Sequence, residues 1–317
     1  MLSQIPFEIP NELLRATRKF APIRMAIPGA DHPVPMESAR AASTRGLIEP
    51  LLIGDKTRIL RLAKQMSWEL GGHSIVHAAS ETEAVETAVR VASEGGVDAI
   101  MKGQVHTDVL MRATLSGAFG LRTGRRMTHV FHLSLPGSAD PIMISDCAVN
   151  VSPDEQTLRD IVLNTLDLGR SLSLRSLRTA LISGTESVID SVPSSLLADR
   201  VKTWAHDQMG AGEFIDGPMG LDVAISPAAA ETKGVNSNVA GHANILIVPN
   251  LEAGNVLFKS LVYFRSALPA GLLLGAKVPI VLTSRADPPE ARLAATAIAQ
   301  IHAAGKKAAG IRLQRQP

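Results

Sequence analysis

Short apolar runs alternate with helical segments along the first third of the chain. Residues 24–30, 48–55 and 97–101 are rich in aliphatic side chains, as buried strands are. Between the last two runs, Ser80 and Glu83 have the spacing of a capping box at the start of a helix with one apolar face. Strands and helices that alternate in this way form parallel sheets with right-handed crossovers. The sequence therefore predicts an α/β fold whose sheets are rich in parallel strands.

The pattern changes near residue 129, where two short apolar runs are joined by a turn rich in Pro and Gly. A helix capped by Ser152 is predicted to follow and to end near Leu168. The further predicted strands are residues 177–183, 220–226 and 243–249. The last predicted helix, residues 288–305, is expected to return to the first part of the chain. We therefore expect two α/β domains, one formed by residues 1–134 with 286–317 and the other by residues 135–285.

Composition limits the class of partner. Aromatic residues make up only 3% of the chain against 45% hydrophobic residues, so Ala, Val, Ile and Leu must fill the interior, as in sheets covered by helices. The 32 basic and 30 acidic residues leave a formal net charge of +2. This balance is unsuited to the electrostatic field that non-specific nucleic-acid binding uses. We expect a small-molecule ligand and no nucleic acid.

Cys147 is the only cysteine, which excludes an intramolecular disulfide and suits a reducing compartment. Because the adjacent Asp146 would raise a thiol pKa, a small buried core residue is favoured over a catalytic nucleophile. The amino terminus carries Glu8 and Glu12 and lacks the apolar region of a signal peptide. No apolar run approaches the ~20 residues of a membrane span. We expect a cytoplasmic protein that does not enter the membrane.

One group of polar residues follows the predicted strand at residues 97–101. Ligands of open α/β sheets bind beyond the carboxyl ends of strands, which is where Lys102 and Gly103 stand. Thr107 is positioned to cap the next helix, and Arg112 lies about one turn inside it. A helix amino terminus beside a lysine attracts an anion. A capped helix with a solvated lysine accounts for the same residues, and their spacing does not decide between the two interpretations.

A second group frames the apolar run at residues 245–249 with polar but uncharged side chains. Its members are Asn236, Ser237, Asn238 and Gly241 before the run, and Asn250, Gly254 and Asn255 after it. Side-chain amides, a hydroxyl and backbone N–H groups can stabilise developing negative charge without a formal cation. Ordinary turns are also rich in these residue types. His242 is a candidate base, although it is the only histidine in its turn.

The segment "NSNVAGHANILIVPNLEAGNVLFK", residues 236–259, closely resembles the signature of the phosphate acetyl/butyryl transferase family. The segments "DAIMKGQVHTDVLMRATL" and "DGPMGLDVAISPAAAETKGV" are similar to other parts of that family, in the same order along the chain. The resemblance spans about residues 48–285. Such collinearity identifies the chain as a member of the family.

The resemblance implies a two-domain fold like that of isocitrate and isopropylmalate dehydrogenases, with the active site in an interdomain cleft of a homodimer. It implies the reaction acyl-CoA + phosphate = acyl phosphate + CoA, by direct thiolate attack in a ternary complex. The expected partners are acyl-CoA, inorganic phosphate and acyl phosphate. Coenzyme A is then a substrate, and neither a metal nor a tightly bound cofactor is expected.

The resemblance also implies roles for individual residues. Ser237 falls on the serine before V-A-G that is thought to hydrogen-bond the reacting carbonyl or its oxyanion. Arg112 falls on an arginine that is associated with the phosphoryl group. The residues implied to bind substrate are Lys102, Gly103, His106, Thr107, Asn238, Gly241, Asn250, Gly254, Asn255 and Lys259.

Two positions depart from the pattern of the family. Many members have Asp where this chain has Asn244, and that Asp is proposed to deprotonate the CoA thiol. An amide cannot take the proton, but a thiol of pKa about 8.5 is already partly ionised near neutral pH, so a slower enzyme remains feasible with Asn244 at the catalytic position. His242 could serve as the base if its ring points into the site. Many members also have Arg or Pro where this chain has Asn238.

The favoured activity is therefore that of a phosphate acetyltransferase, with a phosphate butyryltransferase as the alternative. A non-catalytic acyl-CoA-binding regulatory module is kept open by Asn238 and Asn244. A hydroxyacid dehydrogenase of the same fold is disfavoured, because the sequence has no suitably spaced pair of metal-binding Asp residues and no nucleotide-binding fingerprint.

Overall fold

The computed structural model describes residues 2–70, 75–138, 140–283 and 287–314, those from 308 onward by backbone alone. The strands are β1 (Ile23–Pro28), β2 (Ile48–Gly54), β3 (Ile75–His77), β4 (Ala99–Met101), β5 (Thr128–Ser134), β6 (Ile142–Ser145), β7 (Leu177–Ile182), β8 (Glu213–Met219), β9 (Ile245–Ile247), β10 (Leu268–Leu274) and β11 (Ile280–Val281). The helices are α1 (Asn11–Thr17), α2 (Pro33–Thr44), α3 (Lys56–Gln65), α4 (Glu81–Ser93), α5 (Thr107–Leu115), α6 (Glu155–Ser171), α7 (Pro193–Ala205), α8 (Leu221–Ile225), α9 (Pro227–Thr232), α10 (Leu251–Arg265) and α11 (Pro289–Gln314), with short 3₁₀ turns at Gly117–Phe119 and His206–Gln208.

The chain divides into two compact units. The Lys102 unit comprises Phe7–Arg125 and the chain from Ala270 onward, and the Ser237 unit comprises the residues up to Pro6 together with Arg126–Pro269. The domain limits predicted from the sequence, 134/135 and 285/286, stay predictions.

In the Lys102 unit, the strand order is β3-β2-β1-β4-β11-β10. All neighbours are parallel except β10 and β11, which run antiparallel. Strands β1 and β4 lie inside the sheet, and both are almost entirely buried. Because parallel strands share a direction, their carboxyl ends, including the one that precedes Lys102, meet at one edge of the sheet.

In the Ser237 unit, the strand order is β5-β6-β9-β7-β8. Strands β5 and β6 form the antiparallel hairpin that the Pro/Gly turn predicts, and the other neighbours are parallel. The short strand β9 is buried in the middle of this order, and its two ends carry the polar segments around Ser237 and Asn250. The predicted parallel-rich α/β fold is confirmed.

Local signals predicted the start of α4 correctly and misplaced the start of α6. The Glu83 N–H donates to the Ser80 hydroxyl at 3.2 Å, and the predicted apolar face of α4 is buried. The predicted cap at Ser152 is wrong, because α6 begins two residues later. Its cap is Asp154, whose carboxylate accepts the Thr157 N–H at 2.8 Å. The hydrogen bonds from Thr157 hold the pKa of Asp154 below its usual value.

Residues 220–226 were predicted as a strand, but Leu221–Ile225 form helix α8, with Gly220 as the residue at its amino-terminal cap. The sheet position beside β7 is already taken by β8, which ends at Met219. An apolar run of this length does not distinguish a strand from a buried helix by periodicity. Val223 and Ala224 are buried in the helix, as they would be in a buried strand, so their burial does not distinguish the two structures.

Candidate active site

In the Lys102 unit, the loop after β4 packs backbone against backbone on the end of β1. The Gly103 N–H donates to the Pro28 carbonyl oxygen at 3.2 Å, and the Gln104 N–H donates to the Gly29 carbonyl oxygen at 3.1 Å. A Cβ at Gly103 would overlap that Pro28 oxygen, so only glycine fits. The Lys102 Nζ donates to the Val105 carbonyl oxygen at 3.0 Å. The loop therefore holds Lys102 at the carboxyl end of its strand.

His106 and Thr107 stand at the start of α5. The His106 ring Nδ1 lies 3.0 Å from both carboxylate oxygens of Glu81, and the His106 N–H donates to the same carboxylate. Burial opposes ionisation of Glu81, but the hydrogen bonds from His106 outweigh it and hold the pKa of Glu81 below its usual value. The prediction that Thr107 caps the helix is wrong. His106 has the extended backbone of a cap, and Thr107 is already the first helical residue.

Arg112 points to solvent from the last turn of α5. Its Nη2 lies 3.4 Å from Asp108 Oδ2, and the two side chains are 78% and 70% exposed. An exposed pair one helical turn apart contributes about 0.3–0.5 kcal/mol. Asp108 is therefore a weak competitor for any anionic ligand of this guanidinium.

In the Ser237 unit, the loop before β9 forms a tight turn around the Ser237 hydroxyl. Ser237 Oγ accepts the Val239 N–H at 3.2 Å and the Ala240 N–H at 3.0 Å. These bonds occupy the two acceptor positions of the hydroxyl and leave its proton to be donated. In the described part of the chain that proton has no acceptor. Ser237 is thus a neutral donor of the kind that stabilises a developing oxyanion.

Gly241 lets this loop pass close to the start of α9. Its φ is +78°, and a Cβ there would lie 2.7 Å from the Pro227 Cα. Both the left-handed backbone and the close approach require glycine. Its N–H donates to the Val223 carbonyl oxygen at 2.7 Å, which anchors the loop on α8. The role of Gly241 seen here is to shape the loop that carries Ser237.

Ser237 and Asn238 line a cavity of about 780 Å³ that lies wholly within the Ser237 unit. Its walls are the first half of β8 and the end of α7 with the 3₁₀ turn that follows. The apolar lining residues are Met209, Phe214, Ile215 and Val239, and the other polar ones are Lys202, Thr203, His206, Asp207, Glu213 and Asp216. A cavity of this size and mixed lining is typical of a site for an organic ligand.

Two carboxylates of the cavity lie beside basic side chains. Arg170 holds Glu213 through two bonds, Nε to Oε1 at 2.7 Å and Nη2 to Oε2 at 2.6 Å. These bonds lower the pKa of Glu213 against the effect of its burial. Lys202 Nζ lies 3.5 Å from Asp216 Oδ1 and 3.8 Å from Asp199 Oδ1. Acidic groups nevertheless outnumber basic ones in this wall, where Asp207, Glu213 and Asp216 stand against Lys202, with Arg170 beside Glu213.

Asn244 stands at the amino end of β9, and its side-chain amide joins that strand to β7. Its Oδ1 accepts the Arg178 N–H at 2.9 Å, and its Nδ2 donates to the Ser176 carbonyl oxygen at 2.7 Å. An amide satisfies both partners, whereas a carboxylate would satisfy only the first. The contacts of Asn244 are therefore structural, and its catalytic role stays a prediction. The neighbouring His242 is exposed.

The predicted residues after β9 build the start of α10. Asn250 Oδ1 accepts the Ala253 N–H at 2.8 Å as the cap of the helix. A Cβ at Gly254 would lie 2.8 Å from the Asp146 carbonyl oxygen. Asn255 Nδ2 donates to the Cys147 carbonyl oxygen at 3.4 Å. Lys259 is exposed beside Phe258. These four residues are not among the described residues that line the cavity beside Ser237.

The segment under α10 is tied together by a buried carboxylate. Asp146 Oδ1 accepts the N–H groups of Ala148 and Val149 at 2.9 and 3.0 Å, and Asp146 Oδ2 accepts the Asn150 side-chain amide at 2.6 Å. Cys147 is completely buried, as predicted. Burial and the charge of Asp146 raise the pKa of its thiol. A thiol in this environment is a poor nucleophile.

Residues 77–300 match the protein-family model described as "Phosphate acetyl/butaryl transferase". The chain belongs to the phosphate acetyl/butyryl transferase family. The resemblance predicted from residues 236–259 is confirmed. No group of three His, Cys, Asp or Glu side chains in the described ranges of this family member could hold a metal ion. The helices in those ranges are too short or too polar to cross a membrane.

The relatives of this phosphate acetyl/butyryl transferase include some named for acetyl transfer and others named for butyryl transfer. The phosphate acetyltransferase of Rhizobium meliloti is 40% identical over 301 residues, which cover 95% of each chain. The phosphate butyryltransferase of Clostridium acetobutylicum is 33% identical over 297 residues, which cover 93% of this chain and 98% of the relative.

Solved structures share the fold. The crystal structure of a branched-chain phosphotransacylase from Enterococcus faecalis V583 matches with a TM-score of 0.75 and 29% identity, over 88% of this chain and 99% of that one. A 4-hydroxythreonine-4-phosphate dehydrogenase from Burkholderia phymatum is only 13% identical but has a TM-score of 0.54 over 89% of this chain and 98% of its own. The dehydrogenase-like α/β fold expected of the phosphate acetyl/butyryl transferase family is confirmed.

Sequence reasoning missed the residues that surround Ser237 in this phosphate acetyl/butyryl transferase. Lys202 and Phe214 line the cavity beside Ser237, and neither is among the residues that the sequence predicted to act. Asp216 opens the segment "DGPMG", which contributed to the resemblance without any role for its carboxylate. No local pattern marks these residues, because the cavity that they line forms only where α7, β8 and the Ser237 loop meet in the fold.

Proposed function

We propose that this protein is a phosphate acetyltransferase, which interconverts acetyl-CoA and phosphate with acetyl phosphate and CoA. The observation that carries the proposal is the Ser237 hydroxyl, whose oxygen accepts two backbone N–H groups while its proton has no acceptor in the described ranges. Membership of the family and the 40% identity to an acetyltransferase support it. Coenzyme A is a substrate of this reaction.

In the proposed reaction, the CoA thiolate attacks the carbonyl carbon of acetyl phosphate. The carbonyl oxygen gains negative charge as the C–S bond forms, and the Ser237 O–H donates to it. The C–O bond to phosphate then breaks, and phosphate leaves with the electron pair. We assign the phosphate to Arg112 and to the loop of Lys102, because these cations can hold phosphoryl oxygens. Catalysis then comes from positioning and from charge stabilisation.

Substitution of Ser237 tests the proposal. CoA and acetyl phosphate are mixed with purified protein, and thioester absorbance is followed. Removal of one oxyanion donor typically costs about 10²- to 10³-fold in kcat, so Ser237→Ala is expected to lose activity to this extent. Ser237→Thr keeps the hydroxyl and is expected to keep most of the activity. Ser260→Ala is the matched control, because the Ser260 hydroxyl bonds the Val256 carbonyl oxygen inside α10.

The same assay separates the remaining alternatives. Wild-type protein that binds CoA without forming thioester would overturn the proposal in favour of a non-catalytic binding module. Acyl phosphates of two, three and four carbons compare acetyl with butyryl transfer. A higher kcat/KM for butyryl phosphate than for acetyl phosphate would reassign the protein as a phosphate butyryltransferase. Equal activity of the Ser237→Ala variant and wild type would show that Ser237 is not the donor to the oxyanion.

A homodimer and a cytoplasmic location belong to the same proposal. Helix α10 exposes Val256, Tyr263 and Phe264 at 66%, 54% and 57%. Large apolar side chains that share one helix are candidates for coverage by a second copy. Light scattering after size exclusion is expected to give twice the mass of the chain. A Tyr263→Glu variant that stays dimeric would exclude this helix as the interface.

A further inference from the structure

If the proposed function holds, the CoA thiol must lose a proton before or during attack. An unperturbed thiol of pKa about 8.5 is mostly protonated at neutral pH. Asn244 has no free site for that proton, because its Oδ1 accepts the Arg178 N–H and its Nδ2 donates to the Ser176 carbonyl oxygen. The proton acceptor must then be another group that shares a cavity with Ser237, unless only preformed thiolate reacts.

Three carboxylates line the cavity beside Ser237, and they differ in their exposure and in the hydrogen bonds that they already accept. Glu213 is held by both bonds from Arg170 and accepts the Gly210 N–H at 2.9 Å as well. Asp207 is 90% exposed and is paired with the adjacent His206 ring. Asp216 is 24% exposed and accepts the N–H of its own neighbour Gly217 at 2.8 Å through Oδ1. Asp216 therefore combines a shielded position with an Oδ2 that accepts no hydrogen bond from the residues that the structure describes.

We propose that Asp216 accepts the proton of the CoA thiol. The S–H bond breaks and its proton passes to a carboxylate oxygen of Asp216, while the sulfur lone pair forms the C–S bond to the carbonyl carbon. The C–O bond to phosphate breaks, and phosphate leaves with that electron pair. In the opposite direction, protonated Asp216 returns the proton to the departing thiolate. Asp216 thus supplies the function that Asn244 cannot.

The groups around Asp216 are consistent with this role. Lys202 of α7 lies 3.5 Å from Asp216 Oδ1 and is shared with Asp199 one turn earlier on the same helix. Lys202 is a positioning residue, because it holds the side of the carboxylate that also accepts the Gly217 N–H. The other ionisable groups of this wall are Glu213 with its partner Arg170, and Asp207 with the adjacent His206 ring. Arg170 already holds both carboxylate oxygens of Glu213, and Asp207 lies 3.5 Å from the neighbouring His206 ring.

The test compares two aspartates that share one lysine. Asp216→Asn removes the proposed base but keeps an oxygen that can accept the Gly217 N–H. Asp199→Asn removes the other carboxylate beside Lys202 and lies outside the described lining of the cavity. General-base assistance is worth about 10²- to 10⁴-fold, so we expect Asp216→Asn to lower kcat/KM for CoA by at least about 10²-fold at pH 7. Asp199→Asn is expected to stay close to wild type, and Asp216→Glu is expected to recover part of the loss.

The pH profile separates a base from a structural residue. Without a base, the rate follows the thiolate fraction and rises about tenfold per pH unit below the thiol pKa. The Asp216→Asn variant is expected to show that slope between about pH 6 and 8, whereas wild type is expected to be flatter. A wild-type rate proportional to thiolate over this range would overturn the proposal, even if the variant did not fold. So would equal losses in the two Asn variants. Wild-type protein with no transferase activity would instead overturn the proposed function.

Discussion

The two polar segments that flank β9 have nearly the same composition, but their hydrogen bonds serve different ends. After the strand, Asn250 caps α10, Gly254 lets the helix approach the Asp146 carbonyl, and Asn255 reaches the Cys147 carbonyl. Before the strand, Ser237 accepts two backbone N–H groups beside a cavity, and its own proton has no acceptor among the described residues. Composition marks both segments equally, and only the account of donors and acceptors separates a candidate site from its scaffold.

The sharpest way to break this contrast is Ser237→Asp. A carboxylate can accept the Val239 and Ala240 N–H groups as the hydroxyl does, but it has no proton to donate and it repels an oxyanion. We expect kcat to fall by about 10³-fold or more, with the free energy of unfolding closer to wild type than that of Ser237→Ala. Thioester formation and urea unfolding measure the two effects. An active Asp variant would show that the turn matters and the proton does not.

Gly254→Ala tests the scaffold side of the contrast. The added Cβ would lie 2.8 Å from both the Asp146 carbonyl oxygen and Val248 Cγ2, and backbone on one side cannot move away cheaply. Overpacking of this kind costs about 1–3 kcal/mol of the free energy of unfolding, and urea denaturation should show it. Gly184→Ala is the matched control, because a Cβ at Gly184 meets nothing within 4 Å. Equal losses in the two variants would refute the packing argument.

The Asn244→Asp variant tests whether Asn244 has a structural role, like the residues after β9, or a role in the reaction, like Ser237. A carboxylate at this position would face the Ser176 carbonyl oxygen, which now accepts from Nδ2 at 2.7 Å. We expect a loss of about 1–3 kcal/mol in the free energy of unfolding at neutral pH. The loss should shrink as pH falls and the acid protonates, because the protonated form can donate to Ser176. A more active and equally stable Asp variant would contradict the structural role.

Asn250 should produce the smallest effect. Asn250→Ala removes the acceptor for the Ala253 N–H, and loss of such a cap costs about 1 kcal/mol of the free energy of unfolding. Asn250→Asp keeps an acceptor and adds a charge that the helix dipole favours, so its stability should match or exceed that of wild type. Thermal unfolding of the two variants provides the measurement. Loss of stability in the Asp variant alone would argue against the capping role.

The sequence predicted those features that depend on neighbours along the chain. The Ser80–Glu83 cap, the buried face of α4 and the hairpin of β5 and β6 are all set within about 20 residues, and all were found. Helix α8 was mistaken for a strand because its short apolar run has no periodicity that distinguishes the two. That position of the sheet is occupied by β8, which only the fold reveals.

Sequence reasoning could identify Ser237 but not its surroundings. Asn244 bonds to Ser176 and Arg178, which lie more than 60 residues earlier in the chain. The cavity beside Ser237 is walled by residues 202–216, which belong to a different helix and strand. Contacts of this range depend on how strands order in the sheet, and nothing in the local pattern specifies that order. The resemblance supplied the residues expected to act, and the structure supplied the groups around them.

The tight turn at Ser237 also has a consequence for the speed of the reaction. A serine hydroxyl usually rotates about its Cβ–Oγ bond, and each arriving ligand must stop that rotation. With the Val239 and Ala240 amides pointing at the two lone pairs, only one direction remains for the hydrogen. Folding therefore fixes the orientation of this O–H bond, and the hydroxyl does not have to be reoriented in each catalytic cycle.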